Sequence, residues 1–149
     1  MKQVLIVGPN SYLGSSLGAY LARFPESYQV STLSVRDDRW RETPLSAFDA
    51  IYYTAALVHR EQAKNDPSQA ERYDEINAVL PVAVAQKAKA ERVRQFVFLS
   101  TMAVYGLTAP YGKTVTITAQ TPLYPTDYYG QSKAKAERKL LALEDDGFR

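Results

Sequence analysis

Four apolar residues, Val4-Leu5-Ile6-Val7, run directly into Gly8, and another glycine, Gly14, stands six residues further on. A short continuous apolar run stopped by glycine reads as a strand buried on both faces, as in a parallel sheet. Beyond the turn, Leu13, Leu17, Tyr20, Leu21 and Phe24 recur at helical spacing, and Pro25 closes that helix. The opening of the chain is therefore strand, tight turn, helix. This unit needs parallel neighbours joined by crossovers.

The rest of the sequence supplies them. Residues 29–35 read as a second strand and Ile51-Tyr52-Tyr53 as a third, preceded by Phe48-Asp49. A long helix is expected over 68–91, kinked near Asn77 because Pro81 lacks the N–H that would bond four residues back. Phe96-Val97-Phe98-Leu99 reads as another buried strand. Residues 106–127, rich in Thr, Pro and Tyr, read as a long loop. A final helix spans 128–143, with Ala134, Leu140 and Leu141 among its apolar positions. Alternating strands and helices imply an α/β fold: a doubly wound parallel sheet in three layers, helix–sheet–helix. Ligands of such sheets bind at the carboxyl ends of the strands, and each motif below falls at such an end.

Composition narrows the chemistry. The 149 residues fit one domain with one core. Eighteen Lys and Arg against 16 Asp and Glu leave a net charge of +2, which gives no reason to expect a nucleic-acid or membrane partner. An anionic ligand must be held by a local site. The absence of cysteine excludes disulfides, thiol catalysis and Cys-based zinc sites. The single histidine, His59, excludes a His-rich metal centre, so no metal is expected. The first residues lack the regions of a signal peptide, and no stretch approaches the roughly 20 apolar residues of a membrane span. A soluble cytoplasmic protein is the expectation.

The turn Gly8-Pro9-Asn10-Ser11-Tyr12-Leu13-Gly14 has glycines where a dinucleotide-binding turn places its first and third. Gly8 permits a sharp turn, Gly14 permits close packing of helix on strand, and the helix start offers free N–H groups to a pyrophosphate. Gly8, Asn10, Ser11, Tyr12, Leu13 and Gly14 are thus candidate cofactor-binding residues, against an ordinary strand–turn–helix with no ligand. Ser11 occupies the middle glycine position, where its hydroxyl could contact phosphate and its bulk would tighten the backbone approach. After the second strand, Leu33-Ser34-Val35-Arg36-Asp37-Asp38 should read the adenosine ribose. An acid there favours NAD and an arginine favours NADP. Ser34 stands where the acid is expected and Arg36 follows, which leans toward NADP. Asp37 takes the ribose or adenine role if the register differs by a few residues. The alternative is a solvated charged loop.

Tyr129 and Lys133 stand one helical turn apart on one face. A nearby ammonium and a nicotinamide cation both favour tyrosinate, so Tyr129 can exchange a proton with a substrate hydroxyl or ketone. Lys133 can also hold the nicotinamide ribose. Ser100-Thr101-Met102-Ala103-Val104-Tyr105-Gly106 follows the Phe96–Leu99 strand, where a hydroxyl can bond a substrate oxygen. Taken alone, that stretch reads equally as a Ser/Thr turn.

Five motifs occur in one order: the glycine turn, Tyr53-Thr54-Ala55-Ala56, Asn77, Ser100-Thr101 with Val104-Tyr105-Gly106, and Tyr129-Gly130 with Ser132-Lys133. Together they resemble the NAD-dependent epimerase/dehydratase family of extended short-chain dehydrogenases/reductases. The run Ala55-Ala56-Leu57-Val58-His59 is similar to that of bacterial members from surface-polysaccharide pathways. The resemblance implies a Rossmann-like NAD(P)-binding domain over residues 1–149, a nucleotide-sugar substrate and transient hydride transfer at the sugar. It assigns catalysis to Thr101, Tyr129 and Lys133. It lays Thr54, Ala55 and Ala56 along the cofactor, makes Asn77 a cofactor-side or structural residue, and sets His59 near the nicotinamide end or the substrate mouth. It implies a homodimer through the helices carrying Asn77 and Tyr129. Family members continue into a further strand and a carboxy-terminal substrate domain. The expectation is therefore a proteolytic fragment or truncated piece of a longer enzyme, poorly active alone. The alternatives are an NADPH-dependent 4-keto-sugar-nucleotide reductase and a non-catalytic NAD(P)-binding domain.

Overall fold

The opening apolar run forms the inner part of β1 (Lys2–Val7), which pairs on one side with β2 (Tyr28–Leu33) and on the other with β3 (Ala50–Tyr53). β3 pairs in turn with β4 (Gln95–Phe98), giving the order β2-β1-β3-β4 with every pairing parallel. The structure is a computed structural model that describes residues 1–58 and 65–149. Val4, Leu5, Ile6 and Val7 are all buried because the central strand has neighbours on both edges and side chains against both faces.

The pleat separates the two faces. Leu5, Val7, Ile51 and Tyr53 join one cluster with Val84, Ala85 and Ala88 of α3 (Leu80–Ala90), and Leu140 of α4 (Tyr128–Leu141) packs against it. Trp40 and Leu45, from the connection between β2 and β3, close the same core. On the opposite face lies α1 (Tyr12–Leu21), where Gly18 comes against Ile6. Helices thus cover both faces of a parallel sheet, the doubly wound three-layer class expected from the strand–helix alternation.

Helical spacing located α1, but burial is another matter. Gly14 is the helix's one buried residue, and Leu13, Tyr20 and Phe24 are exposed. Tyr20 and Phe24 instead pair edge-to-face at 5.4 Å. The helix also ends at Leu21, four residues before Pro25. In α4 the small residues Gly130, Ser132, Ala134 and Ala136 are buried, whereas Leu141 is exposed. Small residues thus occupy the closest contacts of both helices, Gly14 in α1 and Gly130, Ser132, Ala134 and Ala136 in α4.

The expected kink near Asn77 takes a defined form. α2 (Ala70–Asp74) passes into one wide turn of π-helix, Glu75–Val79, before α3 resumes. Pro81 has no N–H to offer the carbonyl of Asn77, and its ring presses on that turn, so the backbone widens there.

All four strands finish at one level. Val7 is level with Leu33 and with Tyr53, and Tyr53 with Phe98. The residues that follow each strand therefore share one edge of the sheet. The chain leaves β1 toward β2 on one side, and β3 and β4 lie on the other, so the topological switch falls between β1 and β3.

Candidate functional site at the carboxyl edge of the sheet

Gly8 adopts φ +92°, and a Cβ there would lie 2.6 Å from the backbone nitrogen of Ala55. Both the left-handed backbone and the closeness of the chain after β3 require glycine. At Gly14 a Cβ would lie 2.8 Å from the carbonyl oxygen of Gly8 and from Ser11 Oγ. The two glycines thus have separate reasons: one turns the chain, the other lets α1 sit on the turn. Ser11 caps α1, its Oγ accepting from Gly14 N at 2.9 Å and donating to Thr54 Oγ1 at 2.6 Å. Its backbone is ordinary extended structure, so the middle position does not demand glycine. The Ser11 hydroxyl points to Thr54 rather than outward. Thr54 bonds onward to the carbonyls of Val7 and Gly8 at 3.0 and 2.9 Å, locking turn to strand end.

Above this lock lies a cavity of about 590 Å³, lined by Gly8, Pro9, Asn10, Ser11, Ser34, Val35, Arg36, Thr54, Ala55, Ala56, Leu57, Val58, Arg72, Ile76 and Leu80. It sits at the topological switch point, where α1 aims its unbonded N–H groups. A positive-φ glycine turn, a capped helix start and an apolar wall from Ile76 and Leu80 are features that could hold a dinucleotide. Of the residues expected to bind cofactor, Gly8, Asn10, Ser11, Arg36, Thr54, Ala55 and Ala56 line the cavity. Gly14 is buried beneath it, and Tyr12 and Leu13 face solvent outside it. Asp37 also lies outside. It caps the turn Asp38–Arg41 and is gripped by Arg39 at 2.7 Å, which holds its carboxyl below the usual range. Arg72, on α2, lines the cavity without any signal in the sequence, because its position depends on where the helix after residue 65 returns.

Asn77 stands behind the cavity, fully buried. Its Oδ1 accepts from Leu57 N at 2.8 Å, and its Nδ2 donates to Leu57 O at 3.0 Å and to Ser132 Oγ at 3.3 Å. Ser132 Oγ donates to the carbonyl of Tyr129 at 2.8 Å. The wide turn that Pro81 enforces thus presents one amide that ties the cavity wall to the helix of Tyr129. His59 lies outside the described residues.

That helix is seated by Gly130. A Cβ there would lie 2.6 Å from the carbonyl oxygen of Ala103, and Asp127 caps the helix by accepting from Gly130 N at 2.7 Å. The turn Met102–Tyr105 after β4 is therefore pressed against the first turn of α4, bringing the Thr101 and Tyr129 segments together. Thr101 Oγ1 accepts from Ala103 N at 3.3 Å, which leaves its proton to donate. The Tyr129 ring meets Tyr73 edge-to-face at 6.3 Å, and the Tyr73 hydroxyl reaches Val58 O at 3.5 Å. Tyr128 faces elsewhere, into a groove shared with Asp74, Lys135 and Arg138.

Lys133 is 2% exposed. Its Nζ donates to Leu99 O at 2.7 Å and stands 4.3 Å from the centroid of the Phe98 ring. Burial pushes its pKa down to about 8, opposed by the charge of Glu137. Glu137 itself accepts from the Ser100 hydroxyl. Glu137 was not singled out from the sequence, and Phe98 was read only as part of a buried strand. A Glu four residues after Lys133 was the available signal.

The family model described as NAD dependent epimerase/dehydratase family matches residues 4–149. UDP-glucose 4-epimerase of Vibrio cholerae is 30% identical over 105 residues, covering 70% of this chain and 31% of that protein. Among solved structures, MoeE5 with UDP-glucose and NAD superposes with TM-score 0.77 at 21% identity, covering 98% of this chain and 50% of the other. UDP-glucuronic acid 4-epimerase from Bacillus cereus with NAD gives TM-score 0.77 at 18% identity, covering 97% and 52%. At such identities the structural likeness speaks for the fold. The chain spans about half the length of these solved relatives and about a third of the curated one.

Proposed function

Since this chain belongs to the NAD dependent epimerase/dehydratase family, we propose that it is the cofactor-binding and catalytic part of an enzyme acting on nucleotide-linked sugars. The reaction is transient hydride transfer at a sugar carbon followed by epimerisation or dehydration. The observation that carries this reading is Lys133. A lysine 2% exposed and bonded to a carbonyl, with no carboxylate in an ion pair among the described residues, costs stability that a purely structural helix need not lose. Buried, pKa-shifted groups at the ligand edge of a sheet are candidates for chemistry.

A nicotinamide dinucleotide, NAD or NADP, supplies the hydride acceptor or donor when bound. Gly8, Asn10 and Ser11 with the start of α1 would hold its phosphates, and Thr54, Ala55 and Ala56, which line the same cavity, would flank it. Tyr129 takes the proton from, or returns it to, the sugar hydroxyl oxygen. Lys133 keeps positive charge beside that tyrosine and holds the cofactor ribose. Thr101 donates its free proton to the same sugar oxygen. Asn77 holds the wall and the helix of Tyr129 in register. We assign substrate grip to a part of the enzyme beyond these elements, and dimerisation to the face where Lys135 pairs with Asp74 at 2.6 Å. The cysteine-free composition suits a cytoplasmic setting.

Arg36 in the cavity wall favours a second reading, an NADPH-consuming reductase of 4-keto-sugar nucleotides. The test is turnover of nucleotide sugars by the enzyme that contains this chain, with Tyr129→Phe beside it. The expected loss is about 10²- to 10⁴-fold in kcat, the range of general acid–base catalysis, with dinucleotide binding retained. Turnover at the parental rate by Tyr129→Phe would sink the assignment.

A further inference from the structure

Resting on the reading of the 590 Å³ cavity as a dinucleotide site, we infer that its adenosine end selects the 2′-phosphorylated cofactor, NADP(H), with Arg36 carrying the selection and Arg72 as a second cation in the lining. β2 lies beside β1 on the side away from β3, so residues just past its end border the part of the cavity distant from Thr54. A carboxylate at that place would accept the two hydroxyls of an unmodified ribose and repel a phosphate. The residue there is Ser34, whose Oγ accepts from Arg36 N at 3.4 Å.

Among the described residues, no Asp or Glu lines the cavity, and two guanidinium groups do. The acids that follow Arg36 are engaged elsewhere. Asp37 takes two bonds from the Arg39 side chain, at 3.1 and 2.7 Å, and Asp38 pairs with Arg41 at 3.0 Å. Arg36 and Arg72 themselves make no ion pair among the described residues, while Arg39 and Arg41 do. The short turn Asp38–Arg41 thus neutralises its own carboxylates and leaves Arg36 uncompensated at the cavity edge. A neutral ribose diol would leave two cations unmatched. A phosphate dianion would match them, and a guanidinium is the donor best shaped for phosphate.

The pyrophosphate of either dinucleotide, or of a nucleotide sugar, is the competing source of negative charge for these arginines. Adenosine fragments separate the sources, because adenosine 2′,5′-bisphosphate and AMP differ in the 2′-phosphate alone. The experiment is calorimetric titration of this chain with NADP, NAD, adenosine 2′,5′-bisphosphate and AMP. NADP is expected to bind about tenfold tighter than NAD or better, and the bisphosphate to exceed AMP by a similar factor. Arg36→Ala should bring both ratios close to one, and Ser34→Asp should invert them, with folding followed by circular dichroism. The two variants sit on exposed positions, so the ratio is readable in at least one. Equal or tighter binding of NAD by the parent chain overturns the inference and leaves the dinucleotide reading standing. Unchanged ratios in both variants overturn the roles of Arg36 and Ser34. Binding of none of the four ligands overturns the cavity reading and the inference with it.

Discussion

The glycine turn and the Tyr129 helix lie at the same edge of the sheet, yet they are built in opposite ways. The turn is local: Gly8, Ser11 and Gly14 lie within seven residues, and Leu33 and Thr54 tie them to the neighbouring strand ends. The helix is assembled from afar. Gly130 rests on Ala103, Lys133 reaches Leu99, and Ser132 joins Asn77, across separations of up to 55 residues. A local device can be read from spacing, and its failure should be confined to binding. An assembled one depends on several elements arriving together, and its failure should spread.

The largest effects should come from adding one methyl to either region. Gly8→Ala forces a left-handed alanine into Ala55, and Gly130→Ala drives a Cβ into the Ala103 carbonyl. Each should cost about 3–5 kcal/mol, strain and overpacking combined. The contrast is in the readout. Gly8→Ala should abolish dinucleotide binding in calorimetry, whereas Gly130→Ala should depress kcat of the enzyme more than its cofactor affinity. Equal loss of binding in both would erase the distinction. Gly112→Ala is the control: its φ is +74° with nothing within 4 Å, so strain alone should cost about 1 kcal/mol.

Asn77→Ala removes both partners of Leu57 and should destabilise by about 2–3 kcal/mol in urea melts. Because Asn77 serves both regions, it should also weaken binding and turnover together, and a variant that lost stability alone would refute the link through Ser132.

Lys133 sharpens the comparison through pH. Its pKa is near 8 in the folded chain and near 10.5 when unfolded, so the unfolded state binds more protons between those values. Stability should therefore rise as pH is raised from about 8 toward 10.5, by at most about 3 kcal/mol for this group. Lys133→Met should remove that rise and, near neutrality, stabilise the chain by about 1–3 kcal/mol. Thermal melts of both proteins across this window provide the check; a pH profile shared by the two would show that Lys133 bears no desolvation penalty. Tyr53 reads in the other direction. Its hydroxyl is buried with no partner among the described residues, burial raises its pKa, and stability from this group is lost above about pH 10.

The smallest effect belongs to Ser11→Gly. It removes a cap and the bond to Thr54 but restores the middle glycine, so a loss of less than about 1 kcal/mol with dinucleotide affinity held or improved is expected. A large loss of affinity would mean that the Ser11 side chain, and not the backbone, holds the ligand.

Much of this was legible in the chain alone. The run 4–7, the two glycines and the strand–helix alternation determine a parallel sheet with a turn at its switch point, because buried strands and φ-positive glycines leave local signatures. Tyr129 and Lys133 share a face by helical period alone, and Pro81 determines where the helix must widen. Only the tertiary structure decided which charges and which faces matter. It gave Asp37 to Arg39, left Arg36 in the cavity lining, brought Arg72 into the same lining, and buried Lys133 over Phe98. It also left Leu13 and Tyr20 of α1 exposed while burying Ala134 and Ala136 of α4. Spacing records the neighbours a residue has along its own helix or strand. Burial, ion pairing and pKa depend on which distant element packs against it, and that is decided when the elements assemble.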